Sequence, residues 1–343
     1  MSQEPAPAGA TPALVLLRML RGFWVSQAIA AAAQLGIADD VAEGPRSCAD
    51  LAELTGVPAR SLHRLLRALA SVGVFAEVDE ERFGLTPLAD CLRTDVPGSL
   101  RASGILTAEL LHPAWSELLH SLRTGGPSFE RVFGAGFFAH LAAHPERGER
   151  FQEMMAHLNL VTNSAIPAAY DFSGCRTIVD VGGGNGSLLA SVLATNASTR
   201  GILFDVPHVL DQARRQIATA GVDARCELVG GDFFASVPTG GDIYLLRWIL
   251  HDFDDERAAR ILRACRAAMP PEGRLLVIEQ VVAGEGEPGD WMTKFLDLQM
   301  LILLGGQERT EAEFRDLFAA AGFRLRRVIP TASPSSVLEA VLG

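Results

Sequence analysis

A glycine-rich turn between a strand and a helix is the feature that most constrains the fold. The segment TIVDVGGGNGSLLASVLA leads from an apolar run at 177–181 through Gly182, Gly184 and Gly186 into a helical stretch. Glycines permit positive φ values and a close approach of the backbone to a ligand, and the free amides of the following helix face that ligand. This order predicts a parallel sheet that binds a nucleotide-type cofactor.

Short apolar runs then alternate with helical stretches as far as residue 282. Strands that alternate with helices are typical of a parallel sheet covered on both faces. The last two apolar segments, FRLRRVIPT and SVLEAVLG, have no helix between them and are predicted to form an antiparallel edge. The predicted fold class is α/β, with a Rossmann-like and mostly parallel sheet.

A winged helix-turn-helix is predicted over residues 38–92. Ser47 and Asp50 have the spacing of a capping box, and Gly56 is placed to end the helix that they begin. Two short apolar runs with an acidic turn between them have the pattern of a β-hairpin wing. Domains with this arrangement often bind DNA, so a winged-helix regulator is one alternative for the function.

The charge of the chain argues against that alternative. The 343 residues include 41 acidic and 30 basic side chains, and residues 1–100 hold 12 acidic residues against 8 arginines. Such a field repels a duplex, although Arg60, Arg64 and Arg67 share one face of the predicted second helix. We therefore expect no nucleic-acid partner.

A membrane partner and a metal site are not expected either. The apolar helix at 14–35 is interrupted by Arg18 and Arg21, which favours a buried or partner-facing helix. The first 13 residues lack the basic flank of a secretory signal, and the five cysteines form no C-x-x-C pair. We predict a cytoplasmic protein with a winged-helix-like domain at 1–102, a helical linker at 103–170 and the sheet domain at 171–343.

Acidic residues around the glycine turn indicate the nature of the cofactor. The dinucleotide pattern G-x-G-x-x-G fails at its third glycine, and Asp180 would repel a pyrophosphate but attract an ammonium group. Asp205 ends the second strand, where a carboxylate accepts hydrogen bonds from both ribose hydroxyls. Asp232 and Phe233 could bind an adenine, or be simply a turn acid and a core aromatic. A cationic cofactor fits better than NAD, so a nicotinamide dehydrogenase is the last alternative.

A series of motifs resembles a known family. These are, in order, VDVGGGNG, LFDVPHV, GGDFF, LLRWILHDFDDE, VIEQVV and GGQERTEAEF. They are similar to those of S-adenosylmethionine-dependent O-methyltransferases, which include plant caffeate and flavonoid enzymes and bacterial tailoring enzymes of aromatic natural products. The likeness spans about 177–323, and the front end resembles the dimerisation domain of that family, which implies a homodimer. The arginine-rich composition, with Lys294 as the only lysine, favours the bacterial branch.

The resemblance implies a role for each matching residue. The implied cofactor is S-adenosylmethionine. Residue pattern and resemblance together predict as its contacts Asp180, Gly182, Gly184, Asp205, Asp232, Phe233 and Arg247. His251 matches the general base of the family, and Glu279 and Glu308 match the two acids beside it. Arg247 stands where many plant members have lysine.

Methyl transfer to a phenol also requires a base next to the acceptor hydroxyl. A phenol has a pKa of about 10 and is a weak nucleophile until a base takes its proton. Histidine, with a reference pKa of about 6.5, is expected to be mostly neutral at pH 7 and ready to accept it. A carboxylate that binds the other ring nitrogen orients the imidazole, and Glu279, Glu308 or Asp252 could serve. In isolation, a histidine next to acids as in HDFDDE is more often part of a helix N-terminal turn than a base, and its position just past a parallel strand is what favours the base.

The acceptor is predicted to be an aromatic or polyketide-type small molecule. Segments that line the acceptor pocket in relatives contain Met155, Asn159, Met300 and Leu303, whose other reading is plain core packing. The leading function is methyl transfer to a hydroxyl. Its nearest alternative keeps the cofactor but performs hydroxylation, decarboxylation or cyclisation.

Overall fold

The computed structural model describes residues 11–79, 81–284 and 291–343, without the side chains of residues 157, 158 and 161. The prediction about a secretory signal was based on the first 13 residues, and most of these lie outside the described residues. Contacts between residues divide the chain into two compact units. The N-terminal unit comprises residues 1–113 and 141–157, and the C-terminal unit comprises residues 114–140 and 158–343. The predicted domain boundaries at residues 102 and 170 stay a prediction.

The N-terminal unit is mostly helical. The side chain of Ser47 accepts a hydrogen bond from the backbone of Asp50 in the predicted capping box, and Gly56 ends the helix with φ +69°. Leu62, Leu66 and Leu69 of the next helix are buried. The helices of this unit are Pro12–Leu20, Gly22–Leu35, Ile37–Asp40, Cys48–Thr55, Ala59–Ala70, Pro87–Asp90, Arg101–Leu106 and the π-helical turn Thr107–Leu111; its strands are Arg46–Ser47, Phe75–Asp79 and Arg82–Leu85.

The first two helices carry an exposed apolar surface. Residues 12–35 are long and apolar enough to pass as a membrane span by composition alone, but Arg21 separates them into two helices. Most of the large apolar side chains of the first helix and the start of the second are more than half exposed. The exposed apolar residues here are Leu14, Leu16, Leu17, Met19, Leu20, Phe23, Trp24 and Val25.

A seven-stranded sheet forms the centre of the C-terminal unit. Its strands, numbered along the chain, are β1 (Thr177–Val181), β2 (Arg200–Asp205), β3 (Cys226–Gly230), β4 (Ile243–Arg247), β5 (Arg274–Glu279), β6 (Phe323–Pro330) and β7 (Ser336–Leu342). Their order across the sheet is β6-β7-β5-β4-β1-β2-β3. Strands β1 to β5 pair in parallel, whereas β7 is antiparallel to both β5 and β6. The predicted fold class, including the antiparallel edge, is confirmed.

Helices cover both faces of this sheet, and apolar clusters fill the two layers between them. The helices of the C-terminal unit are Leu118–Thr124, Ser128–Phe133, Ser187–Thr195, Leu210–Thr219, Asp255–Ala268, Trp291–Leu304 and Glu311–Ala320, with short 3₁₀ turns at Asp223–Arg225 and Leu250–Asp252. Two further short strands, Val281–Val282 and Arg309–Thr310, pair in parallel. Helices His112–Ser116, Phe137–Ala143 and Pro145–Ala169 contain residues of both units.

The strand order reverses between β1 and β4, because the chain first extends the sheet from β1 to β3 and then returns to the other side of β1. In open α/β sheets, ligands bind in the crevice at the carboxyl ends of the strands where the order reverses. The glycine turn follows β1, and His251 lies four residues after the end of β4. The topology therefore brings both motifs to the same edge.

Candidate active site

The turn after β1 favours glycine by its backbone conformation, and at two positions also by lack of space. Gly182, Gly184 and Gly186 have φ values of +69°, +56° and +76°, which L side chains rarely adopt. A β-carbon on Gly182 would be 2.6 Å from Ile249 Cδ1, and one on Gly186 would be 2.6 Å from Leu203 Cδ1. The backbone is thus held close to neighbouring side chains, and the helix Ser187–Thr195 begins directly after the turn.

Asp205 closes this turn from the end of β2. Its carboxylate accepts hydrogen bonds from the backbone amides of Gly184 at 2.8 Å and Val206 at 2.7 Å. Burial raises the pKa of Asp205, and these two amides act against the shift. A carboxylate has about four acceptor positions, so it can still bind ribose hydroxyls while it holds the turn.

Asp180, which is buried, and Arg247, which is partly buried, lie on the neighbouring strands β1 and β4. Asp180 is 2% exposed, and burial raises its pKa to about 7, although Arg247 acts against the shift. Arg247 donates a hydrogen bond from Nη1 to Asn163 Oδ1 at 2.9 Å. This arrangement provides one anionic and one cationic group beside the turn, which are the groups needed to bind an ammonium and a carboxylate.

Asp232 and Phe233 follow β3. Asp232 is exposed and accepts a hydrogen bond from the amide of Phe234 at 2.8 Å, which is the turn contact expected of a short acid. Phe233 packs against the core and lies near Gly182, since a β-carbon on that glycine would be 3.5 Å from Phe233 Cε1. Phe233 is therefore beside the turn, and an adenine contact for Asp232 stays a prediction.

His251 is held among three carboxylates. Its Nδ1 donates to Glu308 Oε1 at 2.7 Å and is 3.6 Å from Glu279 Oε2, while Nε2 is 3.4 Å from Asp252 Oδ1. Glu279 is fully buried, and its Oε1 accepts the amides of Ile249 and Leu250 at 3.1 and 3.0 Å. Of the three acids that could orient the imidazole, Glu308 is the one that accepts its Nδ1–H.

These carboxylates change the protonation of the site. Burial disfavours a charged imidazole, but Glu279, Glu308 and Asp252 outweigh it and raise the pKa of His251 to about 10. Burial also raises the pKa of Glu279 to about 7 and that of Asp252 to about 6, with His251 acting against both shifts. The expectation of a mostly neutral imidazole at pH 7 is therefore wrong for the protein without ligands, because three nearby acids stabilise the imidazolium.

Comparison with known proteins identifies the family. A sequence model of the O-methyltransferase domain matches residues 115–324, and one of the O-methyltransferase dimerisation domain matches residues 17–95. The chain is 48% identical to phenazine O-methyltransferase PhzM of Lysobacter antibioticus over 97% of both chains. This chain belongs to the O-methyltransferase family. The family predicted from the sequence motifs is thereby confirmed.

Further relatives of this O-methyltransferase are bacterial biosynthetic enzymes. It is 40% identical to the mitomycin biosynthesis 6-O-methyltransferase of Streptomyces lavendulae, over 94% of this chain and 92% of that one. The solved structure of NcsB1, from neocarzinostatin biosynthesis, contains S-adenosylhomocysteine and 1,4-dihydroxy-2-naphthoic acid. It is 35% identical, with a TM-score of 0.84 over 95% of this chain and 98% of that one. The predicted cofactor, S-adenosylmethionine, is confirmed as that of the family.

The names of its relatives also include N-methyltransferases. One is the phenazine-1-carboxylate N-methyltransferase of Pseudomonas aeruginosa, which is 36% identical over 92% of both chains. Family membership therefore establishes methyl transfer as the shared chemistry, whereas the nucleophile of the acceptor differs among the relatives.

Sequence reasoning missed several residues that support the O-methyltransferase site. Asp297 accepts the amide of Glu308 at 2.9 Å, and the amide of Gln307 donates to the carbonyl of His251 at 2.9 Å. Arg309 is 1% exposed and donates to the carbonyls of Leu250 and Phe253 at 3.0 and 2.9 Å. The sequence shows that Arg309 directly follows the motif acid Glu308, but not that it is buried, because its carbonyl partners lie more than 50 residues away.

Trp248 was also missed. It has φ +53°, a left-handed conformation that costs a bulky residue about 1–2 kcal/mol. Its indole Nε1 donates to Ser335 Oγ at 3.0 Å. The local sequence does not predict this conformation, because tryptophan seldom adopts it.

The predicted acceptor residues fall into different parts of the chain. Asn159, Met300 and Leu303 are buried in the C-terminal unit, whereas Met155 belongs to the N-terminal unit. Asn159 Oδ1 is buried and has no hydrogen-bond partner among the described residues. Their role as acceptor contacts stays a prediction.

The absence of a metal site also stays a prediction. Within the described residues, one ligand atom each from His251, Glu279 and Glu308 lies within 4.8 Å of the others, a grouping that suits a metal ion as well as a proton. The hydrogen bond between His251 and Glu308 is the arrangement that the structure itself shows.

Proposed function

We propose that this O-methyltransferase transfers a methyl group from S-adenosylmethionine to a hydroxyl of an aromatic or polyketide-type small molecule, with His251 as general base. The observation that carries the proposal is the 2.7 Å hydrogen bond between His251 Nδ1 and Glu308 Oε1. It fixes the orientation of the ring and leaves Nε2 as the nitrogen that can exchange a proton with an acceptor.

The residues at the turn after β1 suit the cofactor. Asp205 would bind the ribose hydroxyls, Asp180 the ammonium group and Arg247 the carboxylate of the aminoacyl part. At Gly184 none of the described residues outside its chain neighbours comes within 4 Å of the position of a β-carbon, so the backbone there is open to an approaching ligand. When bound, S-adenosylmethionine supplies a methyl group on a positively charged sulfur, which is already electrophilic.

The pKa of His251 suits a phenolic acceptor. A phenol has a pKa of about 10, and the three carboxylates raise that of His251 to about 10. A histidine whose pKa is raised above its usual value takes the proton of the acceptor oxygen onto Nε2 at a lower cost in free energy than an ordinary imidazole would. Glu308 and Glu279 stabilise the imidazolium that results, and the remaining task of the site is to align the acceptor oxygen with the methyl group.

The acceptor class is supported by the compounds named with two of the relatives: a phenazine and 1,4-dihydroxy-2-naphthoic acid are both polycyclic aromatic compounds. Asn159, Met300 and Leu303 supply buried apolar and amide groups in the C-terminal unit that suit such an acceptor. The corresponding biosynthetic role is the tailoring of an aromatic natural product in the cytoplasm.

The protein acts as a homodimer in this proposal. The exposed apolar surface of residues 14–25 lies within or next to the match to the dimerisation domain, and a second copy would remove it from water. We expect Phe23→Glu to convert a dimer into a monomer in size-exclusion chromatography with light scattering, whereas Arg60→Glu on the exposed face of another helix leaves the dimer intact. A wild-type monomer would contradict the assembly but not the chemistry.

The reaction is tested by incubating the protein with methyl-labelled S-adenosylmethionine and a panel of hydroxylated phenazines, naphthoates and benzoates, each beside its amino analogue. Mass spectrometry should show S-adenosylhomocysteine together with a labelled O-methyl ether. If only the amino analogues are labelled, the nucleophile of the acceptor is an amine and not a hydroxyl. A changed acceptor without S-adenosylhomocysteine would favour hydroxylation, decarboxylation or cyclisation, and cofactor-independent binding to duplex DNA would favour a regulator.

A further inference from the structure

We propose that Trp248 and Ser335 form a positioning pair that directs the carboxylate of Glu279 toward His251 and thereby sets the rate of methyl transfer. The inference rests on the function proposed above, and it concerns two residues that do not touch the reacting atoms. Trp248 lies within the motif LLRWILHDFDDE, where it has no role assigned above, and Ser335 lies outside all the family motifs. Ser335 lies beyond the last residue of the domain match, which ends at residue 324.

The backbone at Trp248 turns sharply between the cofactor side and the base side of the site. Trp248 has φ +53°, and among the described residues the only other positive φ outside glycine belongs to Glu81. A tryptophan keeps such a conformation only where its surroundings hold it. Its amide donates to the carbonyl of Ile278 in β5 at 3.1 Å, which fixes the backbone from one side.

Ser335 fixes the side chain from the other direction. Its hydroxyl accepts the indole Nε1–H of Trp248 at 3.0 Å, and Ser335 is 1% exposed. The serine is itself held by the loop between β6 and β7, since its carbonyl accepts the hydroxyl of Thr331 at 2.6 Å and its amide donates to Ser333 Oγ at 3.3 Å. The indole is therefore tied to a loop with its own hydrogen bonds rather than to a freely rotating side chain.

The left-handed turn determines where the next two amides point. Ile249 and Leu250 follow Trp248 directly, and both amides donate to Glu279 Oε1. With Oε1 held in this way, Oε2 lies 3.6 Å from His251 Nδ1 and has no hydrogen-bond partner among the described residues. If Trp248 relaxes toward ordinary φ values, these amides turn away and Glu279 loses its direction.

The cofactor side has independent support. The guanidinium of Arg247 lies 5.1 Å from the centre of the Trp248 ring, but it is also bonded to Asn163 and lies close to Asp180. Loss of the indole contact therefore leaves Arg247 held by its other partners. We expect the pair to affect the rate of transfer much more than the affinity for S-adenosylmethionine.

The pair is tested with Ser335→Ala, with Ser335→Thr as the conservative replacement and with Ser336→Ala as the matched control. Ser336 is the adjacent serine and pairs with Glu279 through its backbone, which the substitution leaves in place. Ser335→Ala should lower kcat by about 10-fold to 100-fold, because a misplacement of about 1 Å remote from the reacting atoms can cost as much. Ser335→Thr should recover most of the loss, Ser336→Ala should match the wild type, and the Kd for S-adenosylmethionine should change less than about 3-fold.

Two further measurements separate positioning from general damage. Trp248→Phe keeps a ring but removes the hydrogen-bond donor. If the two residues act as a pair, the double variant Trp248→Phe with Ser335→Ala should lose no more activity than the worse of the two single variants. The NMR titration of His251 in the protein without cofactor should move to lower pH in Ser335→Ala, because Glu279 is less well directed. That titration does not depend on transferase activity and can be read even if the proposed reaction fails. Wild-type kcat and an unchanged titration in Ser335→Ala would overturn the proposal, as would additive losses in the double variant.

Discussion

Gly306 lies directly against the backbone of His251. A β-carbon at Gly306 would be 2.0 Å from the carbonyl oxygen of His251 and 2.5 Å from the carbonyl carbon of Asp252. Both contacts are with backbone, which cannot move aside as a flexible side chain can. The segment that places Glu308 next to the imidazole therefore packs so closely against the backbone of His251 that only glycine fits at position 306.

Gly306→Ala should consequently destabilise the protein by about 3 kcal/mol, at the upper end of what overpacking commonly costs, and reduce kcat by separating Glu308 from His251. Urea denaturation and kinetics check both effects. Gly126→Ala is the control, since a β-carbon there would meet nothing closer than 3.6 Å. Equal stabilities of the two variants would show that the segment moves freely.

Removal of the base should affect chemistry and not cofactor binding. We expect His251→Ala to reduce methyl transfer by about 100-fold or more, because a general base typically contributes a factor of that size. The Kd for S-adenosylmethionine by calorimetry should remain close to that of the wild type, since the proposed cofactor contacts lie at Asp180, Asp205 and Arg247. Full turnover in His251→Ala would remove the histidine from this role.

The two glutamates should differ in how they support the base. Glu308 accepts the Nδ1–H at 2.7 Å, whereas Glu279 is 3.6 Å away and contributes mainly its charge. We expect Glu308→Gln to lower kcat more than Glu279→Gln, with both in the range of about 10-fold to 1,000-fold. Both substitutions should lower the pKa of His251, which NMR titration can follow. A larger loss in Glu279→Gln would reverse the assignment.

The activity should rise with pH across the neutral range. The three carboxylates raise the pKa of His251 from 6.5 to about 10, so most imidazoles in the free protein carry the proton that a base must lack. We expect kcat/KM for the acceptor to increase with pH by up to about tenfold per unit until the imidazole has lost its proton. The break should fall below the pKa measured by NMR without cofactor, because a bound sulfonium repels the imidazolium. A flat profile between pH 6 and 9 would contradict this.

The same shift affects stability with a definite sign. A group whose pKa is higher in the folded protein stabilises it fully below the unfolded value, and that contribution disappears as pH rises through the folded value. The contribution of His251 should thus be complete below about pH 6.5. The difference in unfolding free energy between the wild type and His251→Gln should then decrease toward pH 10. A difference that grows with pH would contradict the shift.

Asp180 should show a conflict between stability and binding. Burial raises its pKa from 3.8 to about 7, so its contribution to stability is complete below 3.8 and is lost as pH rises through about 7. Asp180→Asn should make the cofactor-free protein at least as stable at pH 8, yet weaken S-adenosylmethionine binding by about 10-fold or more. Thermal unfolding and calorimetry measure the two effects.

Asp242→Asn is the matched control for Asp180→Asn. Asp242 lies near the opposite end of β1, where its carboxylate accepts the amides of Arg176 and Thr177 at 2.8 and 2.9 Å. This substitution should lower stability and leave cofactor affinity unchanged. Equal weakening of cofactor binding by both variants would show that the effect of Asp180 is indirect.

The sequence alone determined the architecture, and it predicted which residues make up the candidate site. The alternation of apolar runs and helices predicted a parallel sheet, and the strand pair without a helix between predicted its antiparallel edge; both depend on local periodicity and connection length. The glycine turn and Asp205 could be named because each comes at the end of a strand whose place in such a sheet is set by topology. His251, Glu279 and Glu308 could be named because the motifs that contain them resemble those of the O-methyltransferase family.

Tertiary structure decided how those residues act. His251 and Glu308 are 57 positions apart, and nothing local distinguishes Glu308 from Glu279 as the acceptor of the Nδ1 proton. The raised pKa of His251, the left-handed Trp248 and the tight contact at Gly306 likewise come from groups that are distant in sequence. Hydrogen bonds, burial and steric exclusion act over a few ångströms of space, so they are known only when the packed chain brings their partners together.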